Sequence, residues 1–218
     1  MIYFNKAIKY IVLYVFFIFY GPVSAGSYED FFSAIERDDA PTVARLIRLG
    51  FDTNTPSPQG LHPLFAAINV PAPRVAQTLA QAPATKIDLR NAHDETPLMM
   101  ASIRGMDVLA KLLIDRNADV NKTAWTPLHY AATSGRLVVM NLLLDHHAYI
   151  DAPSPNGTTP LMMAAMYGTP SAVKLLLEAG ADPTIKNDLG LSAIDFALRE
   201  SNQESAALIQ AFLQARSK

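Results

Sequence analysis

Thr126-Pro127-Leu128-His129-Tyr130-Ala131-Ala132 is the stretch on which the reading of the fold turns. A proline at the first position of a helix costs nothing, because the N–H it lacks would have no partner there. The threonine before it is placed to cap the free amides of the first turn. Ala131, four residues on, is small enough to let a neighbouring helix approach closely.

The pattern recurs. His62-Pro63-Leu64-Phe65, Thr96-Pro97-Leu98-Met99 and Thr159-Pro160-Leu161-Met162 put successive prolines 34, 30 and 33 residues apart, and Ser192-Ala193-Ile194-Asp195 follows after 33 without the proline. Ala67, Ala101, Ala164 and Ala197 repeat the small residue. Gly105, Gly135 and Gly168 stand eight residues after their prolines, where a left-handed glycine would end a short helix. Second helices follow with apolar residues at helical spacing, as in Val108, Leu109, Leu112 and Leu113 or Val138, Val139, Leu142 and Leu143. They close on Asn117-Ala118-Asp119-Val120-Asn121 or Gly180-Ala181-Asp182, and a hairpin loop leads back to the next Thr-Pro.

Period and motif together resemble the ankyrin repeat, whose signature is T-P-L-H-x-A, a Leu-Leu helix and a G-A-D-x-N turn. Weaker units flank the clear ones, through Phe31, Ala34, Val43, Leu46, Ile47 and Asn54 at one end and Ala193, Ala197, Leu208 and Ile209 at the other. Terminal repeats have a solvated face and drift from the consensus. The expected fold is therefore all-α: a solenoid of about six helix-turn-helix repeats with hairpin fingers, over roughly 28–57, 58–91, 92–121, 122–154, 155–187 and 188–214, within a domain 26–216.

Two departures stand out. Pro71 and Pro83 replace glycines that would end helices, which alters the links and should leave the helices in place. Pro127 follows Asn121 by only six positions, where the later repeats take nine over the same step. This shortened finger should leave a notch in the row of fingers. It holds Trp125, the only tryptophan, which either edges a binding surface or folds back over the helix ends.

The N-terminus reads as an export signal. Lys6 and Lys9 precede the apolar run Ile11–Tyr20, and Gly21-Pro22 breaks it before Val23-Ser24-Ala25. Cleavage is expected after Ala25, making 1–25 a signal peptide and the product periplasmic or secreted; an uncleaved anchor is the alternative. The apolar run is about half of a bilayer-spanning helix, so no membrane span is expected after cleavage. The chain has no cysteine, which excludes disulfides, thiolate metal sites and cysteine nucleophiles. Its net charge is −2, and removing the two lysines of the leader leaves −4 on the rest, so a nucleic-acid partner is not expected.

No convergent set of nucleophile, base and stabiliser is visible, and neither catalytic residues nor a cofactor is expected. His146 and His147 fall at a helix end and its cap, where imidazoles favour the helix dipole more readily than a metal. His129 belongs to the signature and reads as a structural hydrogen-bonding residue. Met99, Met100, Met162, Met163 and Met166 read mostly as core. Asp119, Asp151 and Asp182 recur at repeat ends as turn-formers.

The resemblance implies a monomeric, non-catalytic scaffold that binds a protein partner through finger tips and the exposed side of the first helices. Carried over position by position, the tips hold His93, Glu95, Trp125, Asn156 and Thr158. The helices contribute Asn69, Ile103, Arg104, Thr133, Ser134, Met166 and Tyr167. Aromatics, an arginine, apolar residues and small hydroxyls form the mixture expected of a binding hot spot. Three functions are compatible with such a surface: a module for a resident envelope protein or a toxin-neutralising immunity protein, a secreted effector that binds a host protein, or an enzyme or metal protein.

Overall fold

The computed structural model describes residues 25–216, and the expected signal segment lies outside them but for Ala25. Among the described residues there are twelve helices and no strand. None of these helices is long and apolar enough to cross a membrane. The chain divides into two compact units, one ending at Thr85 and one beginning at Lys86.

The first unit holds α1 (Ala25–Glu36), α2 (Ala40–Arg48), α3 (Pro63–Asn69) and α4 (Pro73–Gln81). Its core is built on Phe31 stacked on Phe51 with ring centroids 4.1 Å apart, beside the buried Phe65, Leu64 and Leu79. Asp38, between α1 and α2, accepts from the Val75 amide at 2.8 Å and from Arg74 Nε at 3.1 Å, which fastens α4 to the preceding turn. Both α3 and α4 persist despite Pro71 and Pro83, because Val70 and Ala82 leave their helices in extended conformation and need no left-handed residue. His62 stands where the later repeats have Thr, and its Nδ1 accepts from the Leu64 amide at 3.2 Å.

The second unit contains α5 (Pro97–Arg104), α6 (Asp107–Asp115), α7 (Pro127–Thr133), α8 (Leu137–Asp145), α9 (Pro160–Tyr167), α10 (Pro170–Glu178), α11 (Ala193–Arg199) and α12 (Gln203–Arg216). First helices α5, α7, α9 and α11 stack in one row and second helices α6, α8, α10 and α12 in another. Leu98, Leu109, Leu113, Leu128, Leu143, Leu161 and Leu176 are fully buried between the rows. Each contributes about 2 kcal/mol by leaving water.

The threonine caps form as the sequence implies. Thr96, Thr126 and Thr159 accept from the amides of Met99, His129 and Met162 at 3.2, 3.4 and 3.4 Å. The third helical side chain closes the box in return: Met99 Sδ, His129 Nδ1 and Met162 Sδ accept from the threonine N–H at 3.4, 3.1 and 3.4 Å. In the last repeat the Asp195 carboxylate accepts from both the N–H and the hydroxyl of Ser192. Met99 and Met162 are buried, as their reading as core requires, while Met100, Met163 and Met166 stay half-exposed.

One expectation about glycine is corrected. Gly105 and Gly135 are left-handed, with φ of 65° and 61°, but Gly168 has φ −81° and ψ −148°. Gly168 is required by proximity: a Cβ there would lie 2.4 Å from the Ala132 carbonyl oxygen and 2.8 Å from that of Ala164. At Gly105 the nearest obstruction is the flexible Arg136 side chain, 2.9 Å away. Gly168→Ala is therefore expected to cost about 3 kcal/mol by driving apart two backbones. Gly105→Ala, which bears only the left-handed strain, should cost about 1 kcal/mol. Urea unfolding of the two variants checks the order.

Candidate binding cleft

Four finger tips share one construction. The first residue of the tip donates its N–H to the carbonyl of the fifth, and the fourth donates back to the carbonyl of the first, in Ser57–Leu61, Asn91–Glu95, Ser154–Thr158 and Asn187–Leu191. The fourth residue is left-handed each time: Gly60, Asp94, Gly157 and Gly190. A Ser or Asn at the first position turns its side chain onto amides of its own loop, as Asn91 Oδ1 does for His93 and Glu95 at 2.9 and 3.0 Å.

The finger that is three residues short lacks this turn. Ala124 takes a left-handed φ of 71° instead, and support comes from Lys122. Its side chain is 2% exposed, and its ammonium donates to the Asp94 carboxylate on the neighbouring tip and, at 3.1 Å, to its own Thr123 carbonyl. The Lys122 hydrogen bond, followed by the nearby Arg90, holds the Asp94 carboxyl below its ordinary range. Sequence reasoning missed Lys122; its signal was a cation inside a loop that had lost its turn residues.

The shortened loop exposes a cleft of about 330 Å³. Trp125 and Glu95 occupy equivalent positions, each just before a capping threonine, and form one wall. Tyr130 and Thr133 enter from α7, three residues apart and so on one face of the helix, with Ile103 of α5 and Met163 of α9 on either side. The Tyr130 hydroxyl donates to Glu95 Oε1 at 2.8 Å, and Asn91 Nδ2 donates to Glu95 Oε2 at 2.7 Å. Burial, and then the Glu95 carboxylate, push the Tyr130 phenol well above its usual range, so it remains a donor.

His129 forms the floor of the cleft. With Nδ1 accepting from the Thr126 amide, the proton sits on Nε2, which donates to the Thr158 carbonyl at 2.9 Å and joins two repeats. Burial brings its pKa down to about 4, so the ring is neutral at neutral pH. Trp125 meets it edge-to-face, with centroids 5.2 Å apart. Trp125 thus packs on the scaffold through His129, and its half-exposed ring lines the cleft.

Of the expected binding residues, Glu95, Ile103, Trp125 and Thr133 come together here. His93, Arg104, Asn156 and Tyr167 are exposed, and Ser134 and Met166 are half-exposed, but they lie outside this cleft. Asn69 is exposed and belongs to the first unit. Thr158 is corrected: it is 2% exposed, because the intact hairpin closes over it and its amide donates to Ser154 Oγ at 3.0 Å.

His146 caps α8 and the exposed His147 takes the left-handed cap conformation, with φ 64°. Among the described residues no group of three or more His, Cys, Asp or Glu is placed to hold a metal ion. Asp119 and Asp182 each accept the amide two residues on, at 2.9 Å, as turn-formers do. The Asp151 carboxylate accepts the Asp182 amide of the next repeat at 3.1 Å.

Stacked helix pairs, Thr-Pro caps and projecting fingers define a repeat scaffold of the ankyrin class. Models described as ankyrin repeats match residues 31–124, 72–154 and 143–197, and the chain belongs to that family. Ankyrin repeats generally serve as non-catalytic scaffolds for protein–protein interaction.

The chain is 29% identical over 175 residues to the mouse (Mus musculus) Neurogenic locus notch homolog protein 1, covering 72% of this chain and 7% of that protein. It is 34% identical over 95 residues to the mouse Protein fem-1 homolog A-like, 42% of this chain and 14% of that protein. It thus spans a small part of these relatives. The crystal structure of the human ASB11 ankyrin repeat domain superposes with a TM-score of 0.75 at 25% identity, covering 84% of this chain and 82% of that one.

Two outcomes follow. An unfolded histidine titrates near 6.5 and His129 at about 4, so its neutral form stabilises the fold fully above pH 6.5. As pH falls from 6.5 to 4 about 3 kcal/mol of that stability is lost. The stability gap between wild type and His129→Met should narrow over that window in urea titrations at stepped pH. At the short finger, Lys122→Met should change stability by less than about 1 kcal/mol, since it removes a buried charge whose partner is solvated. Asp94→Asn strands the ammonium and should lower the urea midpoint further than Lys122→Met does.

Proposed function

We propose that this chain is an exported, non-catalytic binding protein that acts in the bacterial periplasm and grips one protein partner through the cleft beside the shortened finger. The cleft carries the reading: Trp125, Ile103 and Met163 offer half-exposed apolar surface beside Glu95, Tyr130 and Thr133, at a place where a missing turn opens access from solvent. An apolar centre with a polar margin is the anatomy of a protein-binding hot spot.

The Lys6/Lys9, Ile11–Tyr20 and Val23-Ser24-Ala25 pattern supports export with cleavage after Ala25. The absence of cysteine favours a bacterial compartment over a disulfide-rich extracellular one. Glycosylation acceptors give no such guidance, since Asn121-Lys122-Thr123 and Asn156-Gly157-Thr158 both fit the Asn-x-Thr pattern.

The test is an affinity pull-down with the tagged protein from periplasmic extract of the source cell, followed by titration of whatever is retained. Ile103→Ala with Trp125→Ala should weaken capture by more than about 2 kcal/mol while the circular dichroism spectrum stays unchanged. Undiminished affinity in the double variant would remove the cleft from the binding surface. Recovery of the partner only from the culture medium would favour a secreted effector.

A further inference from the structure

The cleft combines a carboxylate without a cation and a half-exposed aromatic ring. Glu95 is half-buried, and its two side-chain partners, Tyr130 and Asn91, are neutral. Among the described residues no cation pairs with it. Lys122 and Arg90 pair with Asp94, Arg136 Nε donates to the Ile103 carbonyl at 3.2 Å, and Arg104 on α5 is exposed and makes no ion pair with Glu95. His129 is neutral at neutral pH. Each Glu95 oxygen has accepted one hydrogen bond from a side chain and keeps capacity for another. The half-exposed Trp125 ring, tilted 77° to His129, lines the same space, and an indole ring attracts a cation.

We infer that the cleft takes an arginine side chain of the partner, its guanidinium paired with Glu95 and its plane laid against Trp125. This deepens the proposed binding role and rests on it. A planar fork matches a carboxylate by two parallel hydrogen bonds and stacks on an indole, which an ammonium does only as a point charge. Ile103 and Met163 supply apolar wall for the methylene stem. The negative balance of the chain also favours a basic partner segment.

Trp125 is the only tryptophan, so its fluorescence reports on this cleft alone. The intact protein is titrated with a capped pentapeptide carrying one arginine between glycines, and with counterparts carrying citrulline or lysine. A saturable change with arginine, about tenfold weaker with either counterpart, is the expected result. Glu95→Gln, which preserves an acceptor for Tyr130, should erase the difference between arginine and citrulline. Equal response to arginine and citrulline, or no saturation by arginine, overturns the inference; a lysine peptide that equals the arginine one overturns the stacking. In the pull-down, a partner lost with Trp125→Ala but kept with Glu95→Gln leaves the binding face standing without its arginine. A partner kept with both removes the face itself.

Discussion

A helix of seven to nine residues does not persist alone in water, because nucleating it costs more than so few hydrogen bonds return. All the helices from α2 to α11 have that length. They exist because neighbours bury their apolar sides and because the start of each first helix is closed. In α5, α7 and α9 the closure is reciprocal: a threonine oxygen takes the third amide, and the third side chain takes the threonine amide. Two donors at the start of each of these helices are thereby satisfied without any neighbouring element.

The second half of that closure is chemically varied, and the site grows from the variation. Met99 and Met162 only accept, through a thioether, and end in the core. His129 accepts on one ring nitrogen and has a donor left on the other, which reaches the Thr158 carbonyl. That second bond fixes the ring plane, and Trp125 packs against the ring in a T-shaped pair. The tryptophan that defines the cleft therefore rests on a helix-capping residue.

Much of the scaffold was legible in the sequence because Thr-Pro-Leu and its spacing act locally: capping, a fixed φ and a small residue four positions on each have one structural meaning. Gly168 was less legible than Gly105, since the same residue can answer a dihedral constraint or a steric one, and only the approach of the Ala132 backbone distinguishes them. The short finger was countable, but its repair by Lys122 was not, because a lysine in a loop is ordinarily solvated and its partner lies 28 residues earlier. Thr158 fell within the expected tips by frame alone. Equivalent positions are equivalent in backbone, whereas exposure follows from whether the hairpin above is intact.

An ordinary repeat carries its own finger turn and is in that sense interchangeable with its neighbours. The unit with the shortened finger is not, since its loop leans on a carboxylate that the preceding unit presents from a left-handed residue. Duplicating it, moving it along the array or grafting it onto an unrelated ankyrin stack would strand an ammonium. The two units therefore have to be inherited as a pair, and the modularity that lets such arrays grow by copying single repeats stops at this junction.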